Sequence, residues 1–299
     1  RTEDLLLMLG VRREGARYDA HKSSISLFGT KVSEDFDNKA DDWAPKAALT
    51  WRPIRPLSIY ASYARGFRFP NFDEAFGVYG TTPGLGPESS QSYEVGAKVR
   101  MDCLTFNVAA YYTNVYDEIF FDPLAPNPLG YFPGINVNLD RVRHRGVEVL
   151  ASLRPVSWLD VYGSYTYDDV EITRDSLTGL EGSQMPITPR HRGNAGLRVY
   201  LPYGFDAGVD AIWVDSRPLT NDPEERYGKL PGWARYDVRM GWRRAVTEWL
   251  TLSIDATAYN VTGERYSEVG GYSTIRRLVG YYPSPERHYV VASEIAVNW

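Results

Sequence analysis

Apolar and polar residues alternate with a period of two along almost the whole of this 299-residue chain, and no other feature restricts its fold as strongly. In the last segment Tyr289, Val291, Ile295, Val297 and Trp299 share one face with Ser293, while Glu294, Ala296 and Asn298 take the other. Leu250, Leu252, Ile254, Ala256 and Ala258 alternate with Thr251, Ser253, Asp255, Thr257 and Tyr259. Tyr236, Val238, Met240 and Trp242 alternate in the same way with Arg235, Asp237, Arg239 and Gly241. An α-helix turns every 3.6 residues and does not keep this period. The pattern predicts about twelve strands, near 4–13, 43–52, 56–68, 89–101, 104–121, 132–154, 157–172, 189–201, 204–216, 231–244, 249–262 and 286–299. Most are about ten residues or longer, enough to cross a bilayer when tilted and more than a soluble strand usually needs.

The connections between these strands alternate strictly between short and long. Short turns fall at Pro53-Ile54-Arg55, Met101-Asp102-Cys103, Pro155-Val156, Pro202-Tyr203 and Ala245-Val246-Thr247-Glu248. Long loops rich in Gly, Pro, Asp, Asn and Tyr fall near 14–42, 69–88, 122–131, 173–188, 217–230 and 263–285. Short periplasmic turns opposite long extracellular loops are the pattern of outer-membrane barrels, and a soluble sandwich has no reason to gather its long loops at one end. The fold class expected is therefore all-β, an antiparallel transmembrane β-barrel, with both ends of the chain on the short-turn side. Trp51, Trp158, Tyr203, Trp242 and Trp249 then gather near that rim as an aromatic girdle.

Composition agrees. The 22 Tyr and 8 Trp exceed ordinary globular usage, and no stretch approaches the 18 apolar residues of a membrane-crossing helix. A net charge of −5 with scattered basic residues argues against nucleic acid as a partner. The single cysteine, Cys103, can form neither an internal disulfide nor a metal site. Leu5 to Leu9 is too short an apolar run for a signal peptide and continues into a strand, so the chain is expected to begin in mid-protein.

One face carries Lys46, Ser58, Tyr60, Ser62, Glu94, Lys98, Glu148, Asp160, Ser164, Arg198, Asp206, Asp210, Asp237, Arg239, Asp255 and Glu294. An ionised group facing lipid at mid-depth costs roughly 2–4 kcal/mol, so this face must be the interior. Its charges either bind neighbouring strands together as a salt-bridge lattice or line a solute path and a plug. The lumen-facing candidates for ligand contact are Tyr60, Arg68, Glu94, Lys98, Glu148, Arg198, Asp210 and Arg239. Arg141, Arg143 and Arg145 share the outward parity of Val147 and Val149, where they would meet lipid phosphates or stand as solvated loop-base charge.

Signs of catalysis are missing. His21, His144, His191 and His288 stand singly, without a G-x-S-x-G or H-E-x-x-H partner. The glycines of 77–86 lie in a Pro-containing loop and not between a strand and a helix, and no calcium loop occurs. No catalytic residue, metal or cofactor is expected.

Five segments together resemble the TonB-dependent outer-membrane receptors. Leu57 to Asn71 resembles that family's strand ending in aromatic, Arg, Pro and Asn. Ser92 to Lys98 is similar to its E-x-G-x-K strand, and Arg145-Gly146-Val147-Glu148 to its R-G-x-E strand. Pro189 to Asn194 resembles its P-x-H strand start, and Tyr259 to Tyr266 its N-L-x-D-x-x-Y loop base, with Val261-Thr262-Gly263 departing from the usual residues. The terminal Trp299 is similar to the family's C-terminal assembly signal.

The resemblance implies that residues 1–299 supply about twelve strands of a 22-stranded barrel, its C-terminal part, without the plug domain. It implies an outer-membrane receptor and transporter for TonB-energised uptake of a scarce solute, a ferric siderophore or similar metal chelate. The partners would be outer-membrane lipid, the plug and remaining strands, TonB through the missing N-terminal region, and a small-molecule ligand. The alternatives are a self-contained 12-stranded passive pore and, third, a barrel enzyme or adhesin. The ligand itself is not named by the loops, whose aromatic residues Tyr112, Tyr116, Phe120, Phe121, Tyr131 and Phe132 suit many planar or catecholate molecules.

Overall fold

The computed structural model describes residues 4–25, 31–76, 85–123, 125, 134–222, 224–273 and 276–297. In chain order the elements are β1 (Asp4–Ile25), β2 (Lys31–Ile54), β3 (Leu57–Arg68), α1 (Phe72–Phe76), β4 (Glu88–Arg100), β5 (Leu104–Asp122), β6 (Ile135–Val156), β7 (Leu159–Arg174) and β8 (His191–Tyr200). They continue with β9 (Phe205–Val214), β10 (Arg217–Pro218), β11 (Lys229–Leu230), β12 (Trp233–Ala245), β13 (Leu250–Tyr259), β14 (Ser267–Ser273), β15 (Leu278–Pro283) and β16 (His288–Val297). Among the described residues no helix is long and apolar enough to cross a membrane.

Twelve strands form one antiparallel sheet in the order β1-β2-β3-β4-β5-β6-β7-β8-β9-β12-β13-β16, each beside its sequence neighbour in that sheet. The sheet is open, with β1 and β16 at its edges. The short connections lie at 55–56, 101–103, 157–158, 201–204 and 246–249, all at one end. At that end Trp51, Trp158, Tyr203 and Trp249 are exposed, and Trp242 lies 6.4 Å from Phe205 between ring centroids, so the expected girdle is present. Trp299 lies outside the described residues, as do Tyr131 and Phe132.

The register fixes the two faces. Directly opposed residues share a face, so Leu197, Val209, Val238, Ala258 and Tyr289 form one continuous apolar row across five strands. Leu197, Val209 and Tyr289 are exposed there. One residue along, Asp160, Arg198, Gly208, Arg239 and Thr257 form a polar row on the other face. A soluble sheet would have to cover so much apolar surface; lipid is the solvent that suits it.

Three of the expected long loops need correction. The segment 14–42 is not an irregular loop, since β1 and β2 continue through it as a hairpin paired from Asp4↔Arg52 to Ile25↔Lys31. Likewise 263–285 contains the β14–β15 hairpin, and 217–230 contains the short β10–β11 pair. In each case a backbone ladder pairs residues whose sequence carries no regular apolar and polar alternation.

Buried apolar residues gather at the long-loop end of the sheet. Phe120, Val137, Leu139, Val142, Val170 and Ile172 pack with Leu180 of the β7–β8 connection, with Val115, Ile135 and Met185 around them. Irregularities in the strands accompany this cluster: Asp117 has φ 54°, and the β6–β7 register shifts between Arg141 and Val142. A second cluster joins two connections. Leu219 and Leu230 are fully buried, Thr220 bridges Gly271, and Tyr227 stacks on Tyr272 at 3.9 Å. Arg217, almost wholly buried, donates through Nη2 to the carbonyls of Ser267 and Glu268, where the β14–β15 register shifts.

The loop-base residues Asn260 to Tyr266 act as a clasp. Asn260, at φ 53° and 1% exposed, accepts from Glu264 N and donates to Glu264 O, while its own backbone N–H donates to Asp237. Tyr266 accepts from Arg235 Nη1 at 3.0 Å and packs on Trp233, with ring centroids 4.2 Å apart.

Candidate functional site

All eight candidate residues lie on the polar face by register. They do not converge on a single point. Tyr60, Glu94 and Lys98 form one group: the Tyr60 hydroxyl donates to Glu94 Oε1 at 2.5 Å and the Lys98 ammonium stands 5.1 Å from the Tyr60 ring centre. Arg198 meets Asp206 at 3.3 Å, and Arg239 Nε donates to Asp255 at 3.1 Å. Asp210 accepts from the Tyr162 hydroxyl at 2.5 Å. Glu148 stands between Ala109 and Thr166 in the ladder.

A single device recurs three times in this wall. A tyrosine lies flat over the glycine directly opposite it and reaches a carboxylate: Tyr60 over Gly96 to Glu94, Tyr111 over Gly146 towards Asp168, Tyr162 over Gly196 to Asp210. The ring occupies the space a Cβ would take, which is why those positions are glycine.

Two concavities open on the polar face. The lower one, about 420 Å³, is nearer the short turns and is lined by Arg198, Asp206, Arg239, Arg243, Asp255 and Glu294. Its charges are mutually paired, so it is a wall of fixed dipoles suited to a polar surface. The upper one, about 460 Å³, lies under the long loops and is lined by Arg68, Glu88, Ser90, Tyr111, Thr113 and His144. That volume suits a small molecule, and the lining offers hydroxyl, guanidinium and imidazole groups.

Arg68 is the hub of the upper site. Its guanidinium donates to Glu88 through Nε at 2.8 Å and to Glu74 through Nη1 at 2.7 Å. Glu74 belongs to α1, whose start is closed by a reciprocal pair: Glu74 N donates to Asn71 Oδ1, and Asn71 N to the Glu74 carboxylate, both at 2.8 Å. The Phe69-Pro70-Asn71 sequence therefore ends β3 and docks the loop on the wall.

Glu118, absent from the sequence-based candidates, lies beside this hub. Burial, together with the nearby Glu88 charge, pushes its carboxyl up to about 7, with Arg68 opposing, and its Oε2 has no hydrogen-bond partner among the described residues. It lies beyond the outward-facing apolar row of β5, which ends at Tyr112 and is followed on that face by Asn114. Because the folded value exceeds the ordinary 4.5, the native state holds the proton more tightly than the unfolded chain. The stability this gives is full below about pH 4.5 and is lost as pH rises through about 7. We expect hydrogen exchange at residues 85–88 and 118–122, corrected for intrinsic rate, to report weaker protection as pH rises from about 5 to 8, by at most about 3 kcal/mol. Glu118→Gln should flatten that dependence; an unchanged slope would contradict the assignment.

Among the described residues no group of three or more His, Cys, Asp and Glu side chains could hold a metal ion. His191 sits between Tyr165 and Tyr167, with its Nδ1 2.7 Å from the Tyr165 hydroxyl.

Comparison with known proteins gives the same architecture. A family model described as "TonB dependent receptor-like, beta-barrel" matches residues 2–261. Among solved structures, the ferric yersiniabactin uptake receptor FyuA from Yersinia pestis aligns with a TM-score of 0.75 at 16% identity, covering 100% of this chain and 43% of its own. The ferric preacinetobactin receptor BauA from Acinetobacter baumannii aligns at 0.69 and 19% identity, covering 97% and 40%. The copper transporter OprC aligns at 0.74 and 18% identity, covering 99% and 45%. The chain thus spans less than half the length of the structures it matches, and its open sheet corresponds to part of a barrel.

Proposed function

This chain belongs to the TonB-dependent receptor β-barrel family, and from that premise we propose that it is the C-terminal part, residues 1–299, of an outer-membrane receptor for energised uptake of a scarce metal chelate. In this reading a plug and further strands outside the sequence complete the barrel, TonB engages the missing N-terminal region, and no catalytic step or resident cofactor is assigned to the chain. The observation that supports it most is the two-faced sheet, with an apolar side for lipid and a polar side bearing charges of both signs beneath loops gathered at one end. The ferric receptors and the copper transporter with the same fold favour a metal chelate as cargo. A ferric siderophore suits the upper concavity, where Tyr111, Thr113, His144 and Arg68 offer groups to an anionic chelate.

A self-closed twelve-stranded pore would join β1 to β16, and in the described residues both remain sheet edges. Lipid cannot satisfy such edges, so this reading needs a rearrangement the family reading does not.

The test is uptake of radioactive iron presented as a panel of hydroxamate, catecholate and phenolate chelates, in cells with the full-length gene as sole receptor. For at least one chelate, uptake is expected to fall to background when TonB is absent. Entry of small solutes that is indifferent to TonB and proportional to external concentration would instead establish a passive pore.

A further inference from the structure

On the lipid-side face, one row of the ladder runs Tyr63, Tyr93, Tyr112, Arg145, Asp169. Next along the same face, towards the short turns, come Val95, Ala110, Val147 and Tyr167; on the other side come Asn114, Arg143 and Glu171. The row therefore marks where apolar surface gives way to polar surface. Tyr93 and Tyr112 are exposed in it, and Tyr63 and Tyr93 pack with ring centroids 5.1 Å apart, as expected of side chains at a headgroup boundary.

Three arginines converge at this height on one buried carboxylate. Arg145 Nε reaches Asp169 Oδ2 at 2.8 Å, Arg143 Nη2 reaches it at 3.5 Å, and Arg190 Nη2 reaches Oδ1 at 3.6 Å. Arg143 also pairs with Glu171 at 2.6 Å, and its Nε is buried without a partner among the described residues. The Asp169 side chain is 7% exposed, whereas those of Arg145 and Arg190 are 54% and 53% exposed. Asp169 thus holds the arginines in place but neutralises only part of their charge. Just beyond, Arg141 follows on the same face of β6, its Nε donating to Thr173 Oγ1 at 2.9 Å. Four arginines, Arg141, Arg143, Arg145 and Arg190, stand with two carboxylates, Asp169 and Glu171, in one patch.

We propose that this patch binds the phosphate group of an outer-leaflet membrane lipid. Guanidinium forks match phosphate oxygens two at a time, and arginine sheds water more readily than lysine, so a pre-oriented arginine cluster at the edge of the hydrocarbon suits a phosphomonoester. The tyrosine row beside it provides the surface for the lipid's glycerol or sugar and upper acyl segments. The proposal rests on these strands crossing the membrane, but not on what the receptor transports.

The experiment uses the full-length receptor reconstituted in phosphatidylcholine bilayers containing lipid A, or lipid A stripped of its phosphates by phosphatase. Insertion is checked separately by heat-modifiable electrophoretic mobility, so failure of the membrane reading shows there and not in the lipid result. Retention of lipid A after detergent exchange is expected to fall at least about tenfold on dephosphorylation, and by a similar factor in Arg145→Ala/Arg190→Ala, with partial recovery in Arg145→Lys/Arg190→Lys. Equal retention of both lipids by the wild-type protein would overturn the proposal even if the alanine variant failed to fold. Complete displacement by millimolar inorganic phosphate would overturn it too, by showing a site for a soluble anion.

Discussion

Val209→Arg is expected to lower the stability of the folded barrel by about 2–4 kcal/mol in a lipid bilayer. Val209 is at the middle of β9, opposed by Leu197 on one side and Val238 on the other, and it is exposed on the apolar face. An arginine there has no carboxylate within its row and must desolvate or drag water and headgroups inward. Thr166→Arg provides the contrast. It stands on the polar face between Glu148 and Arg192, where water and a carboxylate are available, and should cost less than about 1 kcal/mol. Urea titration of unfolding from lipid vesicles measures both. Equal costs at the two sites would mean that the faces do not differ in solvent.

Gly146→Val should be still more disruptive, for a reason internal to the wall. A Cβ built on Gly146 would collide with the Tyr167 carbonyl oxygen and lie 2.5 Å from the Tyr111 hydroxyl. The first obstacle is backbone of the adjacent strand and cannot swing aside, so the β6–β7 ladder itself must yield. Overpacking typically costs about 1–3 kcal/mol, and the upper end or beyond is expected where backbone must yield. Gly280→Ala is the control, because nothing lies within 4 Å of its added Cβ, and it should stay within about 0.5 kcal/mol of wild type. The same urea titration reads both, and a tolerated valine at 146 would contradict the close approach of the Tyr167 backbone and the Tyr111 ring to that glycine.

What could be read in the sequence follows from where the surroundings differ between the two faces. Between Phe205 and Val214, lipid lies on one side and water on the other, so Ala207, Val209 and Ala211 alternate visibly with Asp206, Gly208 and Asp210. Beyond the hydrocarbon that contrast ends. Arg17, Asp19, His21, Lys39 and Asp41 share one face of the long β1–β2 hairpin, and with no apolar stripe on that face the pairing leaves no alternation to read. The candidate site behaves in the same way. Parity was enough to place Tyr60, Glu94, Lys98, Arg198, Asp210 and Arg239 on one wall. It could not foresee Glu118 beside Arg68, because that depends on an irregular backbone at Asp117 and on a loop docked from elsewhere. Nor could it show that Arg143, Arg145 and Arg190 share Asp169, since Arg190 comes from the connection leading into β8.

The central claim is that these strands divide lipid from water residue by residue. It is tested most directly by placing single cysteines in turn at 205 to 213 along β9, in a Cys103→Ser background of the full-length protein in native outer membranes. The account predicts that a charged, water-borne maleimide labels 206, 208 and 210, while spin labels at 207, 209 and 211 are relaxed by lipid-dissolved oxygen and not by an aqueous nickel chelate. Uniform labelling by the aqueous reagent, or alternation in the opposite phase, would contradict it.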